Sequence, residues 1–271
     1  MKNQLKGKTA VVTGGTQGLG EAIARLFAER GAAGLVIVGR NKKRGKSVSD
    51  DISKAGCKTV FVAADLADLD AARKIVPAAE KAFGRVDILV NAAAITDRGT
   101  LVDTSPELFD TMFAVNVRAP FFLMQDAAKL MIRKKIEGSM VNILSMSGHG
   151  GQPFIIAYSG SKGALATLTK GAAFSLLRNR IRVNGLNIGW MDTPGENRIQ
   201  QLYHDAPADW LAKAEAGTPA GRLLKPTEVA RAVAYLASQE SGLMTGSIID
   251  FDQQVLGAAE TAVWPSAKLS V

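Results

Sequence analysis

Thr9-Ala10-Val11-Val12-Thr13-Gly14-Gly15-Thr16-Gln17-Gly18-Leu19-Gly20 decides how this chain is read. Its first five residues are a short apolar run, which breaks into glycine before an amphipathic helical pattern over 19–30 begins. Glycine admits positive φ and has no Cβ, so a turn of this kind lets backbone N–H groups approach an anion closely. The helix that follows aims its first N–H groups and the positive end of its dipole at the same point. The alternation then continues along the chain. Strand-like runs fall at 9–13, 35–39, 59–64, 88–91, 140–145, 181–188 and 247–251, and helical patterns at 19–30, 42–55, 69–83, 106–135, 157–179 and 227–237. The strand runs are nearly continuous in Val, Ile and Leu, as parallel strands covered on both faces require. This predicts an α/β fold: a single doubly wound Rossmann-type domain over 1–271, its seven-stranded parallel sheet carrying helices on both faces. The least regular stretch, 189–225, reads as a substrate loop or lid, and the tail over 257–271 is unassigned.

Composition bounds the function. Of 271 residues, 47% are apolar and 21% charged, ordinary globular usage that excludes disorder and collagen-like repeats. Cys57 is the single cysteine, so no intrachain disulfide forms and a reduced compartment is expected. Residues 1–8 carry three lysines, yet the apolar run after them is too short for a signal peptide, and no run nears the ~18 residues of a membrane span. The expectation is a soluble, cytoplasmic protein with no membrane partner. Lys and Arg number 33 against 25 Asp and Glu, a net charge of +8, which raises nucleic acid as a partner. The basic clusters, Lys42-Lys43-Arg44, Arg133-Lys134-Lys135 and 178–182, are short, separated and free of interleaved aromatics, so nucleic-acid binding is not expected.

The glycine spacing G-x-x-x-G-x-G, from Gly14 through Gly18 to Gly20, resembles the short-chain dehydrogenase/reductase family, whose opening T-G-x-x-x-G-x-G is matched from Thr13 at every fixed position. The resemblance covers about residues 5–256 and implies a dinucleotide held by Gly14, Thr16, Gln17, Gly18, Leu19 and Gly20. The second strand runs into Gly39-Arg40, where an acidic residue would accept from the ribose 2′-hydroxyl and select NAD. NAD-preferring members keep Asp where Gly39 stands. The Arg40 guanidinium can instead fork a 2′-phosphate, with Lys42 and Lys43 adding positive field. NADP is expected and NAD is the alternative, since Gln17 stands where many NADP members carry a basic residue. Asp65 and Leu66 resemble the pair at the family's adenine edge, the plainer role of Asp65 being a turn cap. Asn91-Ala92-Ala93-Ala94 replaces the usual N-N-A-G; the Asn91 amide is expected to brace the sheet and the cofactor, with Ala93 beside the cofactor, while Ala92 lacks an amide and Ala94 adds a methyl.

Tyr158 and Lys162 are four residues apart, on one face of a helix. A phenol, with pKa ≈ 10, is a poor base near neutrality, and an ammonium within ~4–6 Å favours phenolate. Ser145 precedes Tyr158 by the family's serine-to-tyrosine spacing and can donate to a substrate oxygen gaining charge. Ser147 is its rival, and Leu144 stands where the family has a first serine. Asn116 lies inside a long apolar helical pattern and, by resemblance, holds a relay water leading to Lys162. Asn116, Ser145, Tyr158 and Lys162 fill the family's catalytic tetrad. Further on, 182–193 follows the family's R-V-N-x-(I/L)-x-P-G pattern with Ile188 for proline, and implies that Gly189, Met191 and Thr193 meet the nicotinamide carboxamide. The resemblance also implies a homotetramer or homodimer through the helices over 106–135 and 157–179.

These residues together predict an NAD(P)-dependent oxidoreductase that interconverts a secondary alcohol and a ketone or aldehyde, with Tyr158 as acid and base. Ser145, Gln152, Tyr158 and Trp190 are the expected substrate contacts. Thr96, Asp97, Arg98, His149, Asn187, Tyr203, His204 and Trp210 are further pocket candidates, and their polar and aromatic mixture suits a sugar or polyol. The alternatives are a 3-oxoacyl thioester reductase and a catalytically idle dinucleotide sensor or scaffold. His149 and His204 make no metal-ligand pattern, and no metal is expected.

Overall fold

The computed structural model describes residues 3–258; residues 259–271, most of the unassigned tail, lie outside the described residues. Seven parallel strands, β1 (Thr9–Thr13), β2 (Gly34–Gly39), β3 (Lys58–Ala63), β4 (Ile88–Asn91), β5 (Ser139–Ser145), β6 (Arg182–Ile188) and β7 (Ile248–Phe251), form one sheet in the order β3-β2-β1-β4-β5-β6-β7. Both faces of each inner strand are apolar. Ala10 and Val12 of β1, Leu35 and Ile37 of β2, and Val141 and Ile143 of β5 face one layer, whereas Val11, Val36, Val38, Met140 and Leu144 face the other. The first layer is completed by α1 (Gly18–Glu29), α2 (Lys42–Lys54) and α10 (Pro226–Ala237). The second is completed by α3 (Leu69–Arg73), α4 (Ile75–Phe83), α6 (Ala119–Arg133) and α7 (Ile156–Leu176), while α5 (Pro106–Phe113) leads into α6. Continuous apolar runs therefore become strands sealed on both sides, which is why parallel topology is the stable outcome. Strand order reverses between β1 and β4, and their carboxyl ends open the crevice in which such sheets bind ligands.

Three expected elements differ from the structure. The helix expected over 69–83 is two helices meeting at Lys74, because Pro77 has no N–H to return to the Arg73 carbonyl four residues back. The helix expected over 106–135 passes through a π-helical segment at Ala114–Arg118. Pro120 cannot donate to the Asn116 carbonyl and its ring crowds that oxygen, so the turn opens at Asn116. The irregular stretch 189–225 contains two helices, α8 (Pro194–Tyr203) and α9 (Trp210–Ala216). Thr193 caps α8 by accepting from the Glu196 N–H at 3.0 Å, with Pro194 in its first turn. That Ser/Thr-Pro-x-Glu start was legible in the sequence and was overlooked there. Among the described residues no helix is long and apolar enough to cross a membrane.

Candidate active site

The first βα turn is shaped by close backbone contact. Gly14 has φ +70°, and a Cβ on it would sit 3.0 Å from the Ala93 backbone; a Cβ on Gly20 would run into the Gly14 carbonyl. Thr13 Oγ1 accepts from the N–H groups of Ala92 and Ala93 at 3.0 and 3.1 Å, tying the ends of β1 and β4 together. No side chain caps α1, so its leading N–H groups keep their hydrogen-bonding capacity. A glycine-lined, uncapped helix start at the switch point fits a dinucleotide's phosphates. The cleft above it has a volume of about 1380 Å³, larger than the 300–1,000 Å³ of ordinary ligand pockets and so roomy enough for a dinucleotide with a second molecule. All six expected turn residues line it.

At the end of β2, Arg40 and Arg44 line the cleft, whereas Lys42 and Lys43 do not; Lys42 borders a separate shallow pocket beside Phe61. Asn41 caps α2, its Oδ1 accepting from the Arg44 N–H at 2.9 Å. That cap sets the phase of the helix and turns the residue three positions on toward the crevice, a role sequence reasoning gave to the lysines. An Asp in place of Gly39 would press on Thr16, since a Cβ there lies 2.7 Å from Thr16 Cγ2. Asp65 and Leu66 also line the cleft, and one Asp65 oxygen accepts from the Ala67 N–H, so the residue caps its turn as well. Asn91 braces the sheet as expected but does not reach the cleft. Its Nδ2 donates to Asn142 Oδ1 at 2.8 Å, and the side chain braces β4 against β5, buried and outside the cleft lining. Ala93, Gly189, Met191 and Thr193 do line the cleft.

The reacting groups converge on the floor formed by β5 and α7. Lys162 Nζ lies 5.7 Å from the centre of the Tyr158 ring and donates to the Ile143 carbonyl at 2.8 Å. Burial pulls Lys162 down to about 8. The Tyr158 phenol is pushed up, first by burial and secondarily by the charge of Glu196, against the lowering effects of a hydrogen bond with Ser145 and of the Arg98 charge. This corrects the expectation that the ammonium draws the phenol down: Lys162 is itself starved of water and holds a backbone carbonyl, so desolvation wins. Between the two serines, Ser145 is the one that acts to lower the Tyr158 phenol, and its Oγ accepts from the Ser147 N–H at 3.2 Å, whereas Ser147 Oγ donates to Gln152 Oε1 at 3.4 Å. Asn116 is fully buried behind the cleft. Its side chain bridges both backbone groups of Ile95 and donates to Ser161 Oγ at 3.1 Å, while its own carbonyl is the one to which Pro120, four residues on, has no N–H to donate.

The far wall is α8, clasped to the loop after β4. Asp97 accepts from Tyr203 at 2.9 Å and lies 3.6 Å from Arg198, and Arg98 Nε donates to His204 Nε2 at 3.3 Å. Trp190 Nε1 donates to Glu196 Oε1 at 2.8 Å, and Trp210 Nε1 to Asn197 Oδ1 at 2.7 Å, binding α9 to α8. Thr96, Arg98, Gln152, Trp190 and His204 line the cleft. Asp97, His149, Asn187, Tyr203 and Trp210 stand outside its lining. His149 and Asn187 are drawn instead to Asp250 of β7, at 2.8 and 2.7 Å. Glu196 and Phe154 are cleft residues that sequence reasoning missed; for Glu196 the helix-cap spacing after Thr193 was the available signal. Among the described residues no group of three or more His, Cys, Asp or Glu is placed to hold a metal.

The family model described as enoyl-(acyl carrier protein) reductase matches residues 14–253. This chain belongs to the short-chain dehydrogenase/reductase family. Across 92% of its length and 97% of the other chain, it is 38% identical to a solved short chain dehydrogenase/reductase family protein, with a TM-score of 0.79. It is 34% identical to the gluconate 5-dehydrogenase of Gluconobacter oxydans over 92% of this chain and 94% of that protein. It is also 34% identical to the NADP-dependent (R)-specific alcohol dehydrogenase of Lentilactobacillus kefiri, over 91% and 96%. Membership of this short-chain dehydrogenase/reductase family makes the protein an oxidoreductase, in a family that generally uses NAD(P).

Proposed function

We propose that this short-chain dehydrogenase/reductase interconverts a secondary alcohol and a ketone or aldehyde, prefers NADP to NAD, and takes a small polar substrate such as a sugar or polyol. The observation that carries the reading is one cleft containing the uncapped start of α1 together with Ser145, Tyr158 and Lys162. The nicotinamide, when bound, supplies or accepts the hydride. In reduction, Ser145 Oγ and the Tyr158 hydroxyl donate hydrogen bonds to the carbonyl oxygen, and the phenol passes its proton to that oxygen as the carbon becomes a C–H carbon. In oxidation the alcohol O–H proton goes to the phenolate while the carbinol C–H leaves as hydride. A phenol that burial keeps protonated is the acid that reduction needs. Lys162 would bind the nicotinamide ribose and steady the phenolate, and the Asn116 carbonyl would hold the water that replaces the spent proton.

Arg40 and Arg44 support NADP, and Gly39 supplies no carboxylate to oppose a 2′-phosphate. Gln152, Thr96 and Trp190 support a hydrogen-bonding substrate, in line with the gluconate named for one relative. The exposed apolar residues of α5 to α7 support a homotetramer or homodimer, and the absence of a long apolar helix among the described residues suits a cytoplasmic setting. The test follows reduced-nicotinamide absorbance, which should fall with NADPH against keto sugars, oxo-esters or oxoacyl thioesters and rise with NADP against sugars or polyols. Tyr158→Phe is expected to lower kcat by about 10²–10⁴-fold. Undiminished turnover would remove Tyr158 from its role. Preference for oxoacyl thioesters would move the reading to a thioester reductase, and tight dinucleotide binding with no turnover would favour the idle sensor.

A further inference from the structure

We propose that Arg98 is the docking cation for a carboxylate on the substrate, so that the preferred alcohols and ketones are small hydroxy and oxo acids. The proposal rests on the alcohol–carbonyl reading above and sharpens its substrate class. Arg98 stands on the loop after β4, lines the cleft with Ser145 and Tyr158, and leaves only 14% of its side chain exposed. A guanidinium so withdrawn from water needs partners for its five donors. Nη1 donates to the Thr96 carbonyl at 3.0 Å and Nε to His204 at 3.3 Å, and the Phe154 ring centre lies 5.5 Å from Cζ. Among the described residues, Nη2 makes no hydrogen bond.

The nearest anion does not fill that place. Glu196 Oε1 lies 3.8 Å from Nη2, beyond hydrogen-bond length, and already accepts from Trp190 Nε1 and Gln200 Nε2 at 2.8 Å each. Asp97, next in the chain, is turned to Arg198 and Tyr203. A fixed guanidinium with an open Nη2 edge matches a carboxylate, which can take the short charge-assisted bonds that Glu196 does not make. The charges of Glu196, which raises the Tyr158 phenol, and of Arg98, which lowers it, both reach the chemistry. An acid docked there places its carboxylate at one end of the pocket and its carbinol or carbonyl carbon beside Tyr158. A neutral thioester or a long apolar chain makes no use of this cation.

The test pairs acids with uncharged counterparts: aldonates with their alditols, and short 3-oxo acids with their methyl esters. The wild-type enzyme is expected to favour the acid by at least tenfold in kcat/KM. In Arg98→Gln the acid-to-neutral ratio should fall by at least tenfold, chiefly through KM, and Arg98→Lys should recover part of it. Binding gives an independent readout. Titration calorimetry of the same acids into Tyr158→Phe protein with NADP present should detect a complex that Tyr158→Phe/Arg98→Gln weakens at least tenfold. Wild-type preference for the neutral member with ready turnover, or acid binding indifferent to Arg98, overturns the proposal and leaves the enzymatic reading standing. If neither member of any pair turns over, the alcohol–carbonyl reading fails, and the calorimetry alone decides whether Arg98 is an anion site.

Discussion

Lys162 shows how much a single catalytic position costs the fold. It is 3% exposed, its pKa falls to about 8, and the Ile143 carbonyl is its hydrogen-bond partner. Between pH 8 and the ordinary lysine value the unfolded chain binds more protons than the folded one, so this residue makes stability rise with pH across that window. At pH 7 the buried ammonium opposes folding by about 3 kcal/mol, at 1.36 kcal/mol per pKa unit. Lys162→Met removes that cost but orphans the Ile143 carbonyl, which returns ~1–3 kcal/mol of it. The variant is therefore expected to lose activity while gaining about 2 °C in Tm at pH 7, and its Tm should no longer climb between pH 8 and 10 relative to wild type. A fall in Tm at pH 7 would mean that the ammonium is better satisfied than its single carbonyl contact implies. The pairing of Tyr158 with Lys162 was legible from their spacing. The direction of the phenol's shift was not, because desolvation is set by β5 and the loop after β4, far away in sequence.

The turn from β2 into α2 carries the cofactor preference at the scale of an element. Asn41 starts the helix, and the phase set by that cap brings Arg40 and Arg44 to the cleft while Lys42 faces Phe61. Arg40→Ala and Arg44→Ala are each expected to raise the Kd for NADP about tenfold and to leave that for NAD within about twofold, the loss of one charge-assisted contact apiece. Dinucleotide titration by fluorescence measures both. Equal losses for the two dinucleotides would detach these arginines from the 2′-phosphate, and an unchanged Arg44→Ala would return the role to the lysines. The sequence reading found Arg40 by its position at a strand end. Arg44 needed the helix phase, which one capping hydrogen bond fixes. Asn116 divides in the same way: an asparagine in an apolar helix was conspicuous, but its π-helical setting came from Pro120, four residues later.

For the whole molecule, the unpartnered apolar surface is the informative feature. Phe109 on α5, Phe121 on α6 and Phe174 on α7 are exposed, Phe174 by 79%, and Ile132 and Leu177 add to the same group of helices. A soluble chain seldom leaves so much aromatic surface in water without a partner. Phe174→Glu is expected to halve the solution mass of the assembly in sedimentation velocity, or to produce monomers, with its secondary structure intact. A wild-type protein that is monomeric at micromolar concentration would sink the homotetramer and homodimer alike.

By itself the sequence determined the layered architecture of a doubly wound parallel sheet, the glycine turn and the Ser145, Tyr158 and Lys162 constellation. Each of these is written in local spacing or in a repeating apolar pattern, and short-range sterics and burial on both faces of a strand act on such patterns wherever they occur. Only the tertiary structure decided that Asn91 stays out of the cleft, that His149 leaves it for Asp250, and that Arg98 lines it with Glu196 3.8 Å away. Those outcomes depend on which distant groups lie within reach once the chain has closed, and no local rule contains that distance.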